Sequence, residues 1–97
     1  MHETAQDFQT VEEIRCYVAE TLSGLESLKS DQYEVTQRVL YRSGRPCGVH
    51  FSLHGPRALM LSAIWETEQN RILFYGSCGR RMLRTKLMNA PQLHAQQ

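Results

Sequence analysis

"FYGSCGRRMLRTKLM", residues 74–88, decides the fold, because it holds the end of the last expected strand, a cysteine turn and the segment that must close the domain beyond it. Phe74 and Tyr75 close an apolar run, and Gly76 to Gly79 read as a turn by composition. Beyond the turn, Leu83 and Leu87 stand four residues apart, the spacing of one helical face. Asn89-Ala90-Pro91 supplies a stop. The stretch therefore predicts a short basic C-terminal helix after a strand.

Upstream of it the period is two. In residues 32–42, Tyr33, Val35, Val39 and Tyr41 alternate with Glu34, Thr36, Arg38 and Arg42. In residues 47–54, Cys47, Val49, Phe51 and Leu53 alternate with Gly48, His50, Ser52 and His54. Turn compositions at residues 43–46, at Gly55-Pro56 and at Gln69-Asn70 join these runs to 57–68 and 71–77. Four strands with three short connections predict an antiparallel meander.

Ahead of the strands the period is 3.6. Thr10 and Glu13 form a capping box, with the Glu13 carboxylate expected to reach back to the Thr10 backbone N–H. Val11, Ile14, Val18, Leu22 and Leu25 make one apolar stripe. The expected architecture is α+β: an N-terminal helix packed on a four-stranded antiparallel β-meander, with a short C-terminal helix. Residues 1–9 are expected to be a flexible leader, 10–89 a single domain, and 90–97 a loose tail.

The later strands are apolar on both sides. Leu59, Leu61, Ala63 and Trp65 alternate with Ala58, Met60 and Ile64, and Ile72 and Phe74 alternate with Leu73 and Tyr75. The long helix covers one side, so the other predicts a C-terminal cover or a second copy of the chain, and a homodimer is the expectation.

Composition narrows the function. A chain of 97 residues with 41% hydrophobic and 22% charged residues is one ordinary globular domain. The longest apolar run, residues 58–65, is far shorter than the roughly 20 residues of a membrane helix, so no membrane association is expected. Three cysteines, an odd number without paired spacing, and a polar acidic beginning point to the reducing cytoplasm. Net charge is +1 but segregated: residues 1–34 hold eight acids against two bases (−6), and residues 35–97 nine bases against two acids (+7). Nine of the eleven bases are arginine, the residue suited to bidentate contact with phosphate or carboxylate.

Cys78, Arg84 and Thr85 after a strand resemble the phosphate loop of the cysteine-dependent phosphatases over about a dozen residues. That resemblance implies a reactive thiol at Cys78 and an arginine on the phosphoryl oxygens. Met82 and Leu83 stand where such loops carry glycine or small polar residues, and a meander is not their parallel sheet. The preferred reading is a strand-end turn, with no catalytic residue. His50 and His54, four apart in a strand, are about 13 Å from each other and cannot share a metal, so neither metal nor cofactor is expected. Arg80, Arg81, Arg84 and Lys86 are the candidate binding residues for an anion or nucleic acid, beside Tyr75, Phe74 and Trp65. A pI near 7.8 and the absence of a recognition motif favour an acidic protein partner over nucleic acid. The expected function is a small non-enzymatic binding or adaptor protein that self-associates; nucleic-acid or phosphate-ligand binding through the basic segment comes second, and thiol chemistry at Cys78 third.

Overall fold

The N-terminal helix α1 (Val11–Leu25) forms where its stripe lies, with Ile14, Val18 and Leu22 buried on one side. Thr10 caps it by accepting from the Glu13 backbone N–H at 3.2 Å. The Glu13 carboxylate accepts from Gln9 at 2.8 Å, one residue earlier than the capping box implies. The computed structural model describes residues 2–26, 28, 33–89 and 91. The expected 90–97 tail lies outside these, apart from Pro91.

The helix lies on one six-stranded sheet: β1 (His2–Gln6), β2 (Val35–Arg42), β3 (Arg45–His54), β4 (Met60–Glu66), β5 (Arg71–Tyr75) and β6 (Arg81–Leu87), ordered β1-β6-β5-β4-β3-β2. β2 to β6 run antiparallel to their neighbours, and β1 joins β6 in parallel. The four expected strands are all present, joined by tight connections. Ser43 and Gly44 both take positive φ (53° and 77°), the two-residue hairpin geometry whose twist matches the strands.

The expected four-stranded meander with two helices is thus corrected to one helix on a mixed six-stranded sheet. Residues 81–87 form a strand because Leu83, Thr85 and Leu87 alternate toward the core, with Thr85 0% and Leu87 4% exposed. Two leucines four apart share a face in a helix and in a strand alike, so the pair alone did not discriminate. Thr85, polar by type, hid the alternation.

β1, within the segment expected to be a leader, contains no large apolar residue and carries no periodic signal. Hydrogen bonds hold it instead. The hydroxyls of Thr4, Thr85 and Tyr17 meet at 2.7–3.3 Å, tying β1, β6 and α1 together around a buried oxygen. The Asn89 side chain then accepts from the Phe8 N–H at 2.7 Å and donates to the Phe8 carbonyl, standing in for one more step of a β-ladder. Phe8 is thereby seated in the core against the Tyr17 ring, with centroids 5.1 Å apart.

The core lies in a single layer between helix and sheet: Val35 from β2, Val49, Phe51 and Leu53 from β3, Leu61, Ala63 and Trp65 from β4, and Ile72 and Phe74 from β5. Burying each of these larger side chains stabilises the fold by about 1.5–3 kcal/mol.

Thr85→Val keeps the shape and strand propensity of residue 85 but strips the shared oxygen from two half-buried hydroxyls, those of Thr4 and Tyr17. A loss of about 1–2 kcal/mol in urea unfolding is expected, with a smaller loss when the change is made in Tyr17→Phe. Gly48→Ala should be worse tolerated, by about 2 kcal/mol or more, because its Cβ would lie 2.3 Å from the Trp65 carbonyl oxygen.

Candidate functional site

The face of the sheet turned away from α1 carries no layer among the described residues. Pairing across the strands sets its side chains in rows. One row runs Arg38, His50, Ile64, Leu73, Arg84; the next runs Leu40, Gly48, Glu66, Arg71, Lys86. A third holds Thr36, Ser52, Ser62, Tyr75 and Arg81. The floor is aliphatic and flanked by bases, and by register the first row continues past Arg84 to Glu3 on β1, the second past Lys86 to Ala5.

Leu73 is 3% exposed although no element among the described residues covers it, and Ile64 beside it is half-buried. Shielding comes from the sheet's own side chains, with the long stem of Arg84 directly across the ladder. Met60, at the end of the floor, is 53% exposed.

The electrostatics divide the molecule by layer. Asp7, Glu12, Glu13, Glu20, Glu26 and Glu34 are exposed in or beside the helical layer. The helix's one base, Arg15, turns to the sheet edge and donates to the Val35 carbonyl at 2.5 Å and the Gln37 side chain at 2.6 Å. On the open face, Arg71 Nε donates to Glu66 at 2.6 Å. Arg42 meets Glu68 at 3.4 Å, with both side chains at least 70% exposed and the pair worth little. The Arg81 guanidinium carbon lies 5.9 Å from the Tyr75 ring centroid, a cation–π distance.

Of the residues singled out from the sequence, Arg84 and Lys86 fall on this face together, around a hollow of about 240 Å³ also lined by Gln69 and Arg71. Arg81 sits at the face's end on Tyr75, and Arg80 is exposed in the turn before β6, where its carbonyl accepts from Gly76 at 2.9 Å. Cys78 is exposed at the same turn. A strand comes after it, so the helix N-terminus that the phosphatase resemblance implies is not built. His50 and His54 do lie on one side of β3, and among the described residues no group of three or more His, Cys, Asp or Glu side chains is arranged to hold a metal ion.

Sequence reasoning missed Arg38, Arg71 and His50 as members of the same surface. The available signal was the period of two: once residues 81–87 alternate, Arg84 and Lys86 share a face with Ile64, Leu73 and Arg38. A second hollow of about 260 Å³ lies around Thr36, Gln37, Arg38, His50 and Ser52. A third, of about 370 Å³, includes Leu40, Cys47, Ile64 and Glu66.

No protein-family model, curated protein or solved structure matches the chain. Among the described residues, no helix is long and apolar enough to cross a membrane.

His50 is held below its ordinary value of 6.5, first by burial and second by the Arg38 charge beside it. A lowered histidine pKa means the unfolded chain binds more protons just below pH 6.5. The stabilisation is therefore full above 6.5 and is lost as pH falls toward the folded value. Urea midpoints at about pH 7.5 and about pH 5.5 should show the loss, and His50→Gln should reduce the difference. An unchanged difference in that variant would assign the acid sensitivity to other groups.

Proposed function

We propose that this chain is a non-enzymatic binding module whose open sheet face receives an acidic amphipathic helix of a protein partner. The observation that carries the reading is an aliphatic floor (Leu40, Ile64, Leu73) flanked by more bases than acids, Arg38 on β2 and Arg71, Arg84 and Lys86 on β5 and β6 against Glu66 on β4 and Glu3 on β1. A sheet face is ordinarily dried by a helix, and here the second helix comes from outside. Acidic side chains flanking an apolar stripe match this surface in both chemistry and sign. Three free cysteines, two of them exposed, suit work in the reducing cytoplasm.

Two features weigh against single-stranded nucleic acid. Tyr75 is the one aromatic side chain in the three rows, and Arg81 already lies over its ring. Glu66 and Glu68 also stand among the bases lining the hollows of this face. Self-association by pairing of the open faces would bring the arginines of two copies together, and like charges in register oppose it.

The test is fluorescence anisotropy with a synthetic acidic helix of about five turns, Leu at i, i+3, i+4 and i+7 and Glu on the flanks. Micromolar binding is expected, weakened about tenfold by Arg38→Glu combined with Arg84→Glu. Three results would overturn the proposal: equal binding of a scrambled peptide, tighter binding of oligothymidylate, or a stable dimer in sedimentation that Ile64→Asp dissociates.

A further inference from the structure

We propose that the hollow over Gly48 is the anchor subsite of the open face and takes a tryptophan side chain from the docked helix. At about 370 Å³ it is the largest of the three hollows described above. Clefts that enclose small ligands begin at roughly 300 Å³. Its floor is apolar, because Leu40 and Ile64 flank the gap and no side chain rises from Gly48. The ladder itself enforces that gap: a Cβ on Gly48 would lie 2.3 Å from the Trp65 carbonyl oxygen. At the same point β3 carries one extra residue, Cys47, opposite the step from Leu40 to Tyr41. The Cys47 carbonyl accepts from the Thr67 backbone N–H at 3.1 Å and from its hydroxyl at 2.9 Å. Those bonds fasten the turn before β5, with Glu68 and Gln69, to the side of the hollow. The hollow is therefore built into the sheet before any partner arrives.

Its charges select the occupant. Two arginines and two glutamates line it, and they answer one another: Arg71 Nε donates to Glu66 at 2.6 Å, and Arg42 meets Glu68 at 3.4 Å. The lining is neutral over an apolar floor, so it suits an uncharged side chain rather than an ion. A leucine is too small to fill 370 Å³, and an aromatic ring occupies far more of it. Guanidinium groups at the rim favour the face of such a ring. The carboxylates of Glu66 and Glu68 accept hydrogen bonds, and the indole N–H is a donor with no acceptor beside it. Tryptophan thus matches floor and rim together. The two ion pairs make the surround that keeps water from a central anchor.

The anchor rests on the reading of the open face as a helix-docking surface, and two arms separate their failures. In the first, tryptophan replaces each leucine of the synthetic acidic helix in turn. At least one replacement should tighten binding about tenfold. Naphthylalanine at that position, alike in size but without a donor, should recover only part of the gain. Ile64→Phe and Leu40→Phe fill the hollow from within, and each, checked for a dispersed amide spectrum, should erase the gain. In the second arm, indole is titrated without any helix. Amide shifts should saturate, centre on Leu40, Gly48, Ile64 and Glu66, and vanish in the filled variants.

Helix binding that is indifferent to tryptophan at every position overturns the anchor and leaves the reading of the face intact. A gain that survives both filled variants does the same, since the tryptophan then sits elsewhere. Absence of all helix binding while indole still saturates overturns both, and assigns the hollow to a free aromatic molecule.

Discussion

One helix has to dry a six-stranded sheet, and a fifteen-residue helix, about 22 Å long, can lie across only one of its faces. Ile14, Val18 and Leu22 therefore determine which side of every strand is core. Phe51, Trp65 and Phe74 follow on that side by alternation, and His50, Ile64 and Leu73 are committed to the other. The second face must then remain compatible with water. It does so through arginine stems that shield aliphatic groups while keeping their charges wet.

How much of this was legible depended on whether a residue's polarity matched its burial. The stripe of α1 and the alternation of residues 47–54 were readable because apolar residues went inward and polar ones outward. Thr85 broke the correspondence: a hydroxyl residue at 0% exposure, satisfied by Tyr17 and Thr4 from distant parts of the chain. Neither partner is near it in sequence, so no local window contains the reason it is buried. β1 was silent for a related cause, since its place rests on backbone pairing and on Asn89 rather than on apolar content. The candidate surface suffered in turn. Arg84 and Lys86 drew notice as a basic run, but their companions Arg38 and Arg71 come from other strands and converge only through the sheet's register.

A net charge of +1 conceals a molecule with an acidic layer and a basic one. The separation follows in part from chain order, because the described acids from Asp7 to Glu34 lie in or beside the helical layer, whereas the strands β2 to β6 carry most of the bases. A field so divided orients an approaching charged partner before contact, which raises encounter rates and disfavours docking on the helical side.

The parallel pairing of β1 with β6 has a consequence for how the chain is made. Residues 2–6 are made before β2 to β5, and their partners at 83–87 only after them. The hairpins from β2 to β5 can assemble from neighbours as they appear, whereas β1 waits until β6 has been made. Closure of the sheet is thus a late step with a large loop-closure entropy, characteristic of high contact order. Until it occurs, the outer edge of β6 is unpaired and Phe8 has no seat in the core. The nascent sheet is most exposed to chaperones and to aggregation in that interval, and the pairing of β1 with β6 ends it.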